Sequence, residues 1–495
     1  MEIIKSQNKS FTKVNFDELE GHFLNDAIAT SLNITNFEYT INGMRKTTDP
    51  QTAFISFTKE RIKTALGAER NWPSGDNFVK VNSTRIALYI TETPIMELSD
   101  TVVQFIVPDT WEFMHQVGNY LRNRLDIPAI AITGSVGKTT TRMMIEHLFS
   151  EDYQVLSNQG NHNTRFAIPL YMAKLVQSPD ILNLEVSLNA LNYRGKGPQS
   201  TFVRPTIAIL TSISFAHMST MKDLNGLAKL KANIFNGLDE QGVAIINHDI
   251  PMEQRNIAWA AAKEKTNKIL TYSMTDSDAD LHLISKKELK DITEVTVSYH
   301  GELYTYYLCL SSAGIVENSL AVILVLKTME IDPDKYLSRF LTFHSLPKVM
   351  ERKRGYIDGK KIDIIDDTHN AAIPSMINAI TSFTNKVNYY SGRKLLALGQ
   401  VADLGKFSEE LHESLIPYIN NSGADMLLGY GESMKDVVDS TDIPSQWFGS
   451  MDEYLEGLRK EITENSLILL KGSVSASDYH RISVLLDGIR SNNRL

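Results

Sequence analysis

From residue 127 to about 250 the chain alternates two kinds of segment. The first kind is short and apolar at nearly every position: "IPAIAIT", "DILNLEVS", "PTIAILTSI" and "GVAIINHD". The second kind, such as "RMMIEHLFS", places apolar residues three and four apart. A strand apolar on both faces is covered on both faces, so this alternation predicts a mostly parallel sheet flanked by helices. "TWEFMHQVGNYLRNRL" just before it and "NSLAVILVLKTM" after it carry the helical period. Between them, residues 268 to 312 ("EVTVSYHGELYTYYLCLS") predict an antiparallel excursion.

After about residue 335 the alternation restarts with "KIDIIDD", "KLLALGQV", "ADMLLGYG" and "SLILLKGS". This predicts a second open sheet of Rossmann-like type, with ligands at the carboxyl ends of its strands. Asp366 to Asn370 and Lys471 to Ser475 fall at such ends. Residues 1 to 108 mix short β-rich runs ("FEYTI", "TAFISF", "RIALYITE", "VVQFIVPDT") with polar connectors, and Pro108 marks a joint. The fold class is therefore α/β in three domains. They are a small α+β N-terminal substrate-binding domain (1–108), a central, mostly parallel ATP-binding domain of P-loop ATPase type (109–332) and a C-terminal Rossmann-like α/β domain (333–495).

Composition narrows the function classes. The net charge of −9 argues against a nucleic-acid partner, whose footprint is basic. One cysteine, Cys309, excludes an internal disulfide and a cysteine metal cluster. No apolar run approaches the ~20 residues of a membrane span, and the N-terminus lacks a secretory apolar core. A cytoplasmic protein without a membrane span is expected, as a monomer or small homo-oligomer.

The chemistry centres on "AITGSVGKTTT", residues 131 to 141. The P-loop pattern is G-x-x-x-x-G-K-[ST]. Gly137, Lys138 and Thr139 supply its end, but Ile132 stands where the opening glycine belongs and Gly134 follows two positions later. Strand, glycine turn and helix still form the context that cradles phosphate on backbone N–H groups. Gly134, Ser135, Val136, Gly137, Lys138, Thr139 and Thr140 are the expected nucleotide-binding residues. Lys138 would reach the terminal phosphates of ATP, and the Thr139 hydroxyl would meet Mg²⁺.

The T-G-x-x-G-K-T variant resembles the loop of the Mur ligase family, the ATP-dependent amide-forming enzymes of cell-wall peptide assembly. Further blocks agree in order: "GNHNTRFAIPL", "NLEVS", "ILTSISFAHM", "LAKLKANIFNGL", "IIDDTHNAAIPSM", "LALGQVADLGKFSEELH" and "LLKGSVSASDY". They are most similar to the branch that adds D-alanyl-D-alanine to a UDP-muramoyl tripeptide. The resemblance covers roughly residues 105 to 490. It implies an amide bond formed between an acid and an amine through an acyl phosphate, with ATP and Mg²⁺ as cofactors.

The same resemblance implies roles for particular residues. Thr139 and Glu185 would hold one Mg²⁺ and His217 a second. Lys231 would be a carbamylated lysine that also binds metal; Lys229 competes for that role, and spacing to Phe235 favours Lys231. Lys138, Lys231 and His217 form the catalytic set. Asn161 and Asn163 would line the acceptor cleft, while Asn318, Asp367 and Asn370 border the nucleotide. Lys471, Ser473 and Ser475 would face the amine, although serine-rich "GSVSAS" also suits a helix cap.

Several family positions are changed. Ile315 replaces an asparagine, and Val349 and Val474 replace arginines, with Arg352 or Arg354 as substitutes for the first. An arginine that reads a carboxylate bidentately is not replaced by valine. In "INGMRKTTDPQTAFISF", which faintly resembles the UDP-sugar anchor, Arg45 and Phe54 survive but Met44 and Gln51 depart. The expected function is a divergent ATP-dependent carboxylate–amine ligase; the alternative is a degenerate relative that binds nucleotide as a scaffold.

Overall fold

The computed structural model describes residues 13–24, 32–66, 71–73, 75–98, 102–192, 197–214, 223–309, 312–344, 347–402, 404–473 and 478–482. Three sheets follow one another along the chain. The first contains β1 (His22–Phe23), β2 (Asn36–Glu38), β3 (Thr52–Ile55), β4 (Leu88–Thr91) and β5 (Gln104–Ile106). Its order is β1-β5-β4-β3-β2, with β2 to β5 parallel and only β1 antiparallel. "FEYTI" is not one β run. The strand stops at Glu38, and the Thr40 hydroxyl accepts from Gly43 N at 2.9 Å to start helix α1 (Ile41–Lys46).

Helix α2 (Thr110–Arg122) leads into the central sheet, its start fixed by the Asp109 carboxylate on Trp111 N and Glu112 N at 2.8 and 2.9 Å. The central elements are β6 (Ala129–Thr133), α3 (Lys138–Phe149), β7 (Val155–Ser157), α4 (Ile168–Ala173), β8 (Ile181–Glu185), β9 (Ile207–Leu210) and α5 (Leu224–Ala232). They continue with β10 (Val243–Asn247), β11 (Lys268–Ser273), β12 (Leu281–Glu288), β13 (Thr293–Tyr299), β14 (Glu302–Leu308) and α6 (Ala313–Thr328). The sheet order is β14-β13-β12-β11-β10-β9-β6-β8-β7. It is parallel from β7 to β12 and antiparallel over β12 to β14, the expected excursion.

The third sheet holds β15 (Glu351–Ile357), β16 (Lys360–Asp366), β17 (Lys394–Gly399), β18 (Met426–Tyr430), β19 (Ser445–Phe448) and β20 (Ser466–Lys471). Its order is β15-β16-β20-β17-β18-β19, parallel except for the β15–β16 hairpin. Among the described residues no helix is long and apolar enough to cross a membrane.

Strand alternation explains how the sheets join. Ala129 and Ala131 of β6 face a core shared with Ile55, Ile90 and Phe105 of the first sheet. Ile130 and Ile132 face the opposite core, shared with α6 and with Ile365, Leu396 and Leu469 of the third. Helix α6 is buried on nearly every side, as its unbroken apolar run requires. The β12–β13 turn is clamped to the third sheet. Arg352 and Arg354 both pair with Asp291, Arg352 also with Asp363 at 2.5 Å, and Lys386 donates to Leu289 O at 3.0 Å. These two arginines are thus committed to the clamp and do not stand in for the one lost at Val349.

Candidate active site

The missing opening glycine has a simple cause. Ile132 is an interior residue of β6, fully buried, and the strand runs on through Thr133 before the turn begins at Gly134. The turn is then packed tightly. A Cβ on Gly134 would collide with the Thr211 hydroxyl, and one on Gly137 with the Asn318 carboxamide. Gly137 has φ 87°, a left-handed conformation that favours glycine, and it caps α3. The loop is stitched to the end of β9: Ser135 N donates to Ser212 O at 2.9 Å, Val136 N to Ser212 Oγ at 2.9 Å, and Thr211 Oγ1 to Val136 O at 2.6 Å. A fixed loop in front of a helix N-terminus is a preformed anion site.

Lys138 opens α3, and its Nζ donates to Gly134 O at 2.8 Å and Ser135 O at 3.2 Å. Burial lowers its pKa, opposed by the Glu185 charge. Glu185, at the end of β8, is 3% exposed. Its two carboxylate oxygens accept from Thr139 Oγ1 at 2.6 Å and Asn163 Nδ2 at 2.7 Å, while its backbone is held in both directions by Asn158. Asn161 is exposed two residues earlier, on the same loop as Asn163. Thr140 is half-buried in the first turn of α3.

Helix α5 separates the two lysine candidates. Lys229 lies in solvent and Lys231 is buried, because a two-residue step turns about 200° around a helix. Burial, reinforced by the nearby Lys138 charge, pulls the Lys231 pKa down to about 7. Glu185, Thr139, Lys138, Asn163 and Lys231 are therefore one constellation drawn from β8, α3, the 158–165 loop and α5. His217 lies outside the described residues.

At the third sheet, Lys471 and Asp367, expected to face the amine and the nucleotide separately, are partners. The ammonium meets Asp367 Oδ2 at 2.5 Å and Asn370 O at 3.1 Å, with Lys471 1% and Asp367 6% exposed. The pair pins the loop that presents His369 and Asn370, both exposed. Ser473 is buried, its N–H on Gln400 O at 3.0 Å; Ser475 and Val474 lie outside the described residues. Asn318 is buried on α6, against Gly137 as described.

Two groups of residues escaped sequence reasoning. Thr211, Ser212 and Asn247 support the loop from strand ends; the hydroxyls closing "ILTS" were the available signal. Beside the first sheet, Tyr39, Phe57, Asn71 and Trp72 join Arg45 and Phe54, which the sequence already singles out, in lining a cavity of about 360 Å³. Phe166 connects this cavity to the site. Its ring lies 4.9 Å from Tyr39, 5.0 Å from Phe57 and 5.8 Å from Trp72, and stacks on Trp111 at 4.8 Å.

Two family models match the chain, the Mur ligase middle domain over residues 132–326 and the Mur ligase glutamate ligase domain over 350–474. The chain belongs to the Mur ligase family. A UDP-N-acetylmuramoyl-tripeptide–D-alanyl-D-alanine ligase of Buchnera aphidicola is 27% identical over 402 residues, covering 78% of this chain and 81% of that one. The Bacillus subtilis ligase of the same name is 27% identical over 380 residues, covering 74% and 78%. In fold, the chain is similar to MurF of Acinetobacter baumannii (TM-score 0.74, 21% identity, covering 95% and 96%). It is also similar to the Thermotoga maritima MurF ligase solved with ADP (TM-score 0.69, 18% identity, covering 92% and 98%). The chain is a MurF-like Mur ligase, ATP-dependent and amide-bond-forming.

Proposed function

We propose that this ligase activates a peptide carboxylate with ATP and Mg²⁺ and joins it to a short amine other than D-alanyl-D-alanine. The observation that carries the reading is the Glu185 constellation. A carboxylate buried beside Thr139, with no ion-pair partner among the described residues, is costly unless a cation joins it. Among the described residues no three His, Cys, Asp or Glu side chains converge. A metal here would be held by Thr139, Glu185, a carbamylated Lys231 and His217. When bound, ATP supplies the phosphoryl group that converts the acid to an acyl phosphate, and Mg²⁺ offsets phosphate charge.

The chain's own groups then position and neutralise. The amides of Gly134 to Thr140 cradle phosphate, and Lys138 exchanges its loop carbonyls for phosphate oxygens. Asn318, Asp367 and Asn370 border the nucleotide. Lys231 Nζ, neutral in a large fraction near pH 7, adds CO₂; an N–C bond forms, one proton leaves, and the neutral amine becomes an anionic carbamate. Asn161 and Asn163 line the acceptor cleft, and Ser473 and Ser475 border the amine.

The labour divides as 1–108 for the acid's far end, 109–332 for nucleotide and 333–495 for the amine. The N-terminal cavity, with Arg45 and aromatic walls, suits the nucleotide-sugar peptide type of acid on which the relatives act. The amine side differs: Val349 lacks a guanidinium, and Arg352 and Arg354 are engaged elsewhere. A substrate carboxylate left without its guanidinium partner binds more weakly. An ATP-consuming ligase with such an acid belongs in the cytoplasm.

The test is phosphate release from ATP over a matrix of acids and amines, with mass spectrometry of products. Amine-dependent release is expected, with little product from UDP-N-acetylmuramoyl-tripeptide and D-alanyl-D-alanine. Efficient turnover of that pair would overturn the amine assignment, and amine-independent hydrolysis would overturn the ligase reading for this chain.

A further inference from the structure

Glu317 is a half-buried acid that the ligase chemistry does not use. It lies on α6 beside Asn318, and its Oε1 accepts from Asn247 Nδ2 at 2.9 Å. The other proton of that amide goes to Thr211 O at 2.7 Å, and Asn247 Oδ1 accepts from Asp249 N at 2.9 Å. Both Asn247 amide protons and its carboxamide oxygen are thus engaged, which fixes the side chain in a single orientation. Thr211 in turn lies under both loop glycines and holds Val136 O at 2.6 Å. An unbroken chain of hydrogen bonds runs from Glu317 through Asn247 and Thr211 to the phosphate loop.

We propose that Glu317 is a positioning residue of the nucleotide site, holding the 134–137 loop in its binding geometry through Asn247 and Thr211. The inference rests on the loop's being the ATP site. The groups facing the acid give it no opposite charge among the described residues: Asp249 is an anion, and the Tyr272 hydroxyl is buried without a partner. Burial, with Asp249 adding to it, raises the Glu317 pKa to about 7. An ionised acceptor makes a stronger bond to the Asn247 amide than a neutral one. The sign for stability is the reverse. An acid raised from 4.5 to about 7 on folding costs stability once pH exceeds the lower value, and most above the higher one.

The two signs separate positioning from simple structural support. In the full chain at pH 8 with Mg²⁺, Glu317→Gln should weaken ATP binding by roughly fivefold in calorimetry, the difference between a charged and a neutral acceptor. The same variant should raise Tm. The ATP KM should rise with kcat within about twofold, and the wild-type loss of ATP affinity between pH 8 and 6 should shrink. Glu317→Leu, which leaves the Asn247 proton unpaired, should weaken ATP binding further than Gln does. Unchanged ATP affinity in both variants, or affinity and Tm falling together in Glu317→Gln, overturns the proposal. Wild-type chain that binds no ATP at all overturns the ligase reading and this inference with it.

Discussion

The Thr139 hydroxyl donates to Glu185 across 2.6 Å, tying the first turn of α3 to the end of β8. The same carboxylate takes the Asn163 amide on its other oxygen. The first turn of α3 and the 158–165 loop thus share one anion. Glu185→Gln preserves the shape and removes the charge. It should cut kcat by roughly 10²-fold or more, as losses of aimed charge do. A Mg²⁺ titration identical to wild type would count against Glu185 as a metal ligand.

Lys138→Ala should abolish turnover without unfolding the chain. Burial already disfavours the ammonium, so its removal costs the fold little. Tm within a few degrees of wild type, with no ATP-dependent product, is the expected pair of results. Wild-type turnover would refute the phosphate assignment.

Lys231→Met should be nearly inactive, and short carboxylic acids should restore part of the activity by filling the anionic position. The stability sign follows from a base lowered from 10.5 to about 7 on folding. Such a group costs stability fully below pH 7, and the cost fades as pH rises toward 10.5. The variant should therefore melt higher than unmodified wild type at pH 6, with a smaller gain at pH 9. A ¹³C-bicarbonate NMR spectrum of wild type should show a carbamate signal that Lys231→Met lacks.

Lys471→Met strands Asp367 in the interior. Breaking one side of a buried pair costs ~3–5 kcal/mol. Denaturant unfolding should show a loss of that order, and Asp367→Asn combined with Lys471→Met should lose much less than the two singles added. Additive losses would mean the two groups do not act as a pair.

Asp291→Ala removes the acid that Arg352 and Arg354 share. Each such half-exposed pair is worth ~1 kcal/mol or less, so global stability should barely move. The grip of the β12–β13 turn on the third sheet should loosen instead. Faster proteolysis between residues 342 and 351 is expected, with wild type approaching the variant's rate in high salt. Equal cleavage rates at low salt would remove the clamp from consideration.

Sequence alone reached what is contiguous along the chain. The β6–loop–α3 unit is legible because an apolar run, two glycines and a helical period sit side by side. Glu185 is legible because a charge closes a run of buried residues. What was missed is held together by tertiary contact. Asp367 and Lys471 are 104 residues apart, and Arg352 and Arg354 stand 61 and 63 from Asp291, so no local pattern announces either partnership. The Thr40 cap was hidden because "FEYTI" has strand propensity throughout, and one side-chain acceptor outweighed it.

Phe166 bears on how this enzyme could be re-engineered. Its ring belongs to the central part of the chain yet packs into the aromatic wall beside the first sheet, and the two parts share one continuous core. A chimera made by cutting at residue 108 would leave that ring against foreign side chains and shift the segment carrying Asn161 and Asn163. Recombination to change the acid should instead move 13–122 and 158–173 together, so that the ring travels with its wall.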